Sequence, residues 1–135
     1  MIEHRVYGSV RQIDEKELKE AFERIGYIKT ALLFGSRASG KYNRKSDYDF
    51  AVSAESSFEF GVRAEVLVDL SRILGIDMED MDIVDLDNSK GIIIDSIIED
   101  FIILKGDINE VYRLLGENQR ERQKREKDTG VIERV

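Results

Sequence analysis

The sequence predicts an α+β fold, a small mixed sheet of about four to five strands flanked by helices, and three observations lead there. Short apolar runs at 30–34, 48–52, 81–86 and 101–104 have the length and composition of strands. Stretches with apolar residues at helical spacing lie between and around them. The two kinds follow one another in mixed order rather than strict alternation, which favours helices packed on a small sheet over a doubly wound one. With 135 residues, 41% of them hydrophobic, the chain suits one compact domain. We place that domain at 1–116, followed by a charged C-terminal extension, helix or tail, at 117–135.

Taken in order, residues 2–12 alternate weakly (Ile2, Val6, Val10) and fit an edge strand or a loose arm. Asp14 with Glu17 three positions on is a capping-box signature, and Leu18, Ala21, Phe22 and Ile25 follow at helical spacing until Gly26. The run 30–34 ends at Gly35 and reads as a buried strand, and a turn-rich segment then leads to Ser46. After the strand at 48–52, Ser56 and Glu59 suggest the cap of a helix carrying Val66, Leu67, Leu70, Ile73 and Leu74, stopped by Gly75. In the strand at 81–86, Asp82, Val84 and Leu86 share one face and Met81, Ile83 and Asp85 the other. A short helix at 90–99 and the strand at 101–104 precede a last helix with Ile108, Val111, Tyr112 and Leu115 as its apolar stripe. From Glu117 to Lys127 nearly every residue is polar or charged.

Composition narrows the chemistry. There is no Cys and one His, His4, so thiolate metal sites, disulfides and a Ser/His/Asp triad are not expected, and carboxylates must carry any catalysis. A cytoplasmic setting fits, since no apolar run approaches the roughly 20 residues of a membrane span and residues 1–5 lack a signal-peptide layout. The net charge of −7 argues against a nucleic-acid partner held by a broad basic surface.

The informative segment runs from Leu33 to Asp49. Gly35, Gly40 and Lys41 match P-loop spacing, but Tyr42 stands where a magnesium-binding hydroxyl belongs, and the segment runs into a strand instead of opening a helix. The better reading takes Gly35-Ser36, ten residues, then Asp47-x-Asp49. On a strand, residues two apart point the same way, roughly 6.5 to 7 Å apart, so both carboxylates can converge on one cation cluster. Magnesium is the hard, oxygen-seeking ion that would neutralise them and bind substrate phosphates as well. Asp82, on its own strand, would complete a triad suited to two metal ions, the arrangement that clamps attacking and leaving oxygens at phosphorus. Arg37, Lys41, Arg44 and Lys45 give the intervening loop a charge of +4 without one acid, which suits a polyphosphate. Gly35 would let backbone approach the phosphates, and Ser36 offers a hydroxyl and an N–H. Arg37 and Ser46 are counted with them as nucleotide-binding.

At these residues, Leu-Phe-Gly-Ser-Arg-Ala, Gly40, Ser46-Asp47-Tyr48-Asp49 and Met-Asp-Ile-Val-Asp-Leu at 81–86, the chain resembles the minimal nucleotidyltransferases of the polymerase-beta superfamily, over about 28–104. The resemblance implies that Gly35 and Ser36 hold nucleotide phosphates, that Asp47 and Asp49 bind magnesium, and that Asp82 helps activate the attacking hydroxyl. Many members are antitoxins paired with a HEPN-domain RNase. It therefore implies ATP as substrate, a HEPN toxin as partner, and transfer of AMP to a tyrosine of that toxin; self-association or hetero-assembly stays open.

Two other functions compete. An adenylyltransferase for small molecules would usually carry an extra substrate domain, for which residues beyond 116 leave no room. An antitoxin acting by contact alone would have no use for an intact set of Asp47, Asp49 and Asp82. Among the other acids near Asp82, Asp85 is the alternative third carboxylate, on the opposite face of its strand. Tyr42 and Tyr48 read as packing residues, and the basic stretch from Arg120 to Lys127 as a solvated helix face.

Overall fold

The computed structural model describes residues 9–55, 61–88 and 92–116. Helix α1 (Glu15–Glu23) is followed by β1 (Ile28–Phe34), the single-turn helix α2 (Ser36–Ser39), β2 (Tyr48–Ala54), α3 (Val62–Leu74), β3 (Met81–Asp85), α4 (Ile92–Glu99) and β4 (Phe101–Lys105). Residues 108–116 form a further helix, α5. The strands make one sheet in the order β3-β2-β1-β4. β1 pairs antiparallel with both β2 and β4, while β2 and β3 are parallel and joined through α3, the crossover that parallel neighbours require.

Period-two alternation splits the strand residues between two cores. On one face Leu33, Tyr48, Phe50, Val52, Met81 and Ile83 pack beneath α1 (Leu18, Ala21, Phe22) and α3 (Val66, Leu70, Leu74). On the other, Leu32, Phe34 and Ala51 pack with Leu86, with Ile94 and Ile97 of α4, and with Val111, Leu114 and Leu115 of α5. The rings of Phe22 and Phe50 meet edge to face with centroids 5.2 Å apart, fixing α1 over the middle of the sheet.

The termini of α1 and α3 follow from their sequences. The Asp14 carboxylate accepts the Glu17 N–H at 2.8 Å, as its cap position predicts. Glu17 does not reach back to complete the box; its carboxylate accepts from Arg11 at 2.7 Å. At the other end of α1, Lys105 Nζ donates to the carbonyls of Phe22 and Ile25 at 3.1 and 3.0 Å, adding a cation at the helix C-terminus, where the dipole favours it. Gly75 ends α3 in the left-handed region at φ 68, its N–H bonded to Ser71 O.

Several expectations are corrected. β1 begins at Ile28, because the register with Ala54 carries the ladder past the polar Lys29. Leu86 is not the last residue of β3: the strand stops at Asp85, and Leu86 lies in a 3₁₀ turn over Leu86–Asn88, although it still packs on the expected side. α3 starts at Val62 after Gly61; Ser56 and Glu59 lie outside the described residues. In α5, Ile108 and Tyr112 are exposed at 53% and 57%, and the buried stripe is Val111, Leu114 and Leu115. Residues 9–12 form no strand, although Val10 is buried and its N–H donates to Arg44 O at 2.7 Å. The earlier part of that arm, with His4, and the extension at 117–135 lie outside the described residues.

Candidate active site

The expected carboxylates meet at one end of the sheet. Asp49 is the second residue of β2 and stands in register with Asp82 of the parallel strand β3. Register partners on adjacent strands project from the same face, so both acids lie on the α4–α5 side of the sheet. Asp47 comes two residues before Asp49, just ahead of the first residue of β2, and is exposed like Asp82. Their proximity appears in Asp49, which is half-buried. Its carboxyl is pushed up to about 6 from 3.8, chiefly by desolvation and then by the charges of Asp82 and Asp47.

Gly35 closes the site from the other side. It follows β1, where Phe34 is the register partner of Asp49. With φ 73 and ψ −155 it occupies a region essentially restricted to glycine, and a Cβ added there would collide with Asp49 Oδ2 and lie 3.4 Å from Cγ. Two requirements thus demand glycine at this position, backbone conformation and contact with a carboxylate. Ser36 opens α2 directly afterwards.

Arg37 and Ser46 are placed differently from the other expected nucleotide ligands. The Arg37 guanidinium is turned to the Tyr48 side of the sheet, opposite the carboxylates. It is buried there, donating through Nε and Nη2 to Ser46 O at 3.2 and 2.7 Å and through Nη1 to Gln12 Oε1 at 2.7 Å. The Ser46 hydroxyl accepts the Asn43 N–H at 3.0 Å, so that residue closes the loop. Of the four loop cations, Lys41, Arg44 and Lys45 are exposed, which leaves +3 rather than +4 at the surface of this loop. A cavity of about 460 Å3 opens on the Arg37 side, lined by Gln12, Leu18, Leu33, Arg37, Tyr42 and Tyr48 among others. None of the three carboxylates lines it, so it is separate from the acid cluster.

The P-loop alternative is excluded by the course of the chain. α2 ends at Gly40, with φ 83, and Lys41 starts an outgoing loop instead of a helix. Asp85 is occupied elsewhere: its carboxylate accepts from Asp87 N–H at 3.0 Å and Asn88 Nδ2 at 2.7 Å and so caps the turn after β3.

Among the described residues no three acidic or histidine side chains stand at metal-ligand spacing. The donor set nevertheless fits magnesium by type. Asp47, Asp49 and Asp82 offer only hard oxygen atoms, and the Asp49 carboxyl, raised chiefly by burial and further by the charges of Asp82 and Asp47, stands where a cation would favour its ionised form.

The comparisons with known proteins agree with the fold. Among solved structures, a toxin–antitoxin complex with AMP-PNP matches at TM-score 0.71 and 22% identity, over 89% of this chain and 95% of that one. A mutant form of the MntA-HpeT toxin–antitoxin matches at 0.69 and 21%, with the same coverage. A tri-AMPylated Shewanella oneidensis HEPN toxin in complex with an MNT antitoxin matches at 0.64 and 18%, over 88% and 95%. No curated protein matches significantly. Residues 16–109 match the family model for polymerase beta nucleotidyltransferases, and with that span holding the glycine turn and all three carboxylates, the chain belongs to the polymerase beta nucleotidyltransferase family.

Proposed function

We propose that this chain is an antitoxin that transfers AMP from ATP to a tyrosine hydroxyl of a HEPN toxin. The observation that carries the proposal is the register pairing of Asp49 with Asp82 beside the Gly35-Ser36 turn, on a fold shared with antitoxins complexed to HEPN toxins. An AMP-PNP-bound relative and an AMPylated toxin in another support ATP as donor and the toxin as acceptor.

In this reading Gly35 lets the triphosphate approach the backbone, and Ser36 contributes its hydroxyl and N–H to it. Asp47, Asp49 and Asp82 would hold magnesium, which supplies charge neutralisation at the phosphates. Asp82, exposed at the sheet edge, faces the incoming acceptor and takes the hydroxyl proton as the oxygen bonds to the α-phosphorus. The bond from that phosphorus to the bridging oxygen breaks, and pyrophosphate leaves. Lys41, Arg44 and Lys45 stabilise the departing charge from solvent-screened positions. So small a domain has few walls with which to orient a free small molecule, and a docked protein would supply them.

The test is mass spectrometry of a HEPN partner incubated with this chain, ATP and magnesium. The expected result is a gain of whole AMP units at tyrosine, with loss of RNase activity only when ATP and magnesium are present. A toxin silenced without added mass would instead establish inhibition by contact alone.

A further inference from the structure

We propose that Arg37 is the positioning residue for Asp47, gripping the chain on both sides of that carboxylate and tying it to the turn that carries Ser36. The segment 37–46, from α2 through the loop after Gly40, separates the two halves of the site. Arg37 stands at its start, one residue after Ser36. Its guanidinium forks the carbonyl of Ser46, the residue before Asp47, at 2.7 and 3.2 Å. The same group lies 4.4 Å from the ring centre of Tyr48, the residue after Asp47, and 4.5 Å from that of Tyr42.

The Tyr48 end of this grip is fixed. Tyr48 is 1% exposed, its hydroxyl donates to Arg11 O at 2.9 Å, and it accepts the Ile13 N–H at 2.9 Å. Asp47, by contrast, precedes the β2–β3 ladder, whose first pair is Tyr48 with Met81, so strand pairing does not hold it. Most of the remaining loop bonds are local, from Lys41 N–H to Ser39 Oγ and among Asn43, Lys45 and Ser46, and Val10 N–H to Arg44 O ties the loop to the body elsewhere. Arg37 alone among these contacts joins the beginning of the loop to the backbone flanking the first carboxylate. The fork needs two N–H groups in one plane, which lysine cannot present. Arg37 therefore acts on the nucleotide and metal through Asp47, from the opposite face of the sheet.

The inference rests on the proposed transferase activity, and the experiment separates the two. The full chain is compared with Arg37→Lys and Arg37→Gln for direct Mn2+ binding by calorimetry, and for the metal and ATP dependence of AMP transfer to the partner. Both variants should bind Mn2+ at least roughly tenfold more weakly, the magnitude expected when a residue that orients a metal ligand is lost. KM for ATP should stay within about twofold, transfer should recover at high metal, and lysine should fail to rescue. Melting curves in EDTA identify variants that are folded, and Arg37→Lys keeps the charge if Arg37→Gln does not fold. Unchanged Mn2+ affinity in a folded variant would overturn the inference, as would a selective loss of nucleotide affinity. Absence of transfer by the parent chain would instead count against the transferase reading, while the Mn2+ titration still decides the role of Arg37.

Discussion

Gly35 and Asp49 touch in a way that no other residue at position 35 would permit, since a Cβ on Gly35 would collide with Asp49 Oδ2. Gly35→Ala therefore strikes twice. A residue with a Cβ must hold the backbone at φ 73 and ψ −155, which costs on the order of 1–3 kcal/mol, and the carboxylate must move. A lower melting temperature together with at least a hundredfold loss of transfer is expected. A variant with near-normal turnover would show that the Asp49 carboxylate does not need the place it occupies.

The raised carboxyl of Asp49 makes metal-free stability depend on pH. An acid that titrates at about 6 in the fold and near 3.8 when unconstrained holds its proton more tightly when folded. Below about pH 4 both states are protonated and the group has no differential effect. Between about pH 4 and 6 the unfolded chain releases the proton while the fold resists, so stability is lost as pH rises and stays lost above that window. Asp49→Asn removes this penalty. In EDTA at pH 7.5 the variant should be more stable than the parent by about 1–2 kcal/mol, after discounting for solvent screening, and the advantage should vanish near pH 4. Asn is a poor magnesium ligand, so transfer should be abolished. A variant that melts below the parent in EDTA would show instead that Asp49 is a structural group.

What the sequence made legible depended on how local the determining physics was. Asp14 and Gly75 act within one turn of helix, and both do what their residue types predict. That Asp49 and Asp82 share a face follows from strand alternation, whereas Asp47 stands just ahead of β2, where alternation does not fix its direction. Arg37 was not legible, because a cation in a loop between glycine and acids has the same pattern whether it faces phosphate or a carbonyl nine residues on. A signal was available in Tyr42 and Tyr48, two aromatic residues able to stack on a guanidinium. Ile108 and Tyr112 matched the helical period, yet which side of α5 meets the sheet is set by Leu114 and Leu115 packing with Leu32 and Phe34, a long-range choice.

Asp82 and Asp85 are both acids of β3, and their settings assign them different effects. Asp82 stands opposite Asp49, whereas Asp85 caps the turn Leu86–Asn88 through two hydrogen bonds. Asp82→Asn should reduce transfer at least a hundredfold with little change in melting temperature. Asp85→Asn, which weakens two capping bonds, should cost about 0.5–1.5 kcal/mol and leave turnover within a few-fold of the parent. Measured kcat and melting curves for the pair settle the third carboxylate, and the opposite ordering of activities would move the site to Asp85.

Ser36 and Lys41 separate a site organised around the glycine turn from one organised around a lysine. Ser36 follows the glycine packed against Asp49 and opens α2. Lys41 comes after Gly40 has ended that helix at φ 83, and its side chain stands exposed on the outgoing loop. There it contributes charge that ions screen within about 8–10 Å at physiological salt. If the proposed site holds, Ser36→Ala removes a donor to the phosphates and should lower kcat/KM for ATP roughly tenfold to a hundredfold, largely independent of salt. Lys41→Ala should cost no more than about threefold at low ionic strength, a deficit that fades as salt is added. Steady-state transfer rates across a salt series distinguish them, and a larger, salt-insensitive loss at Lys41 would place the phosphates on the far side of α2.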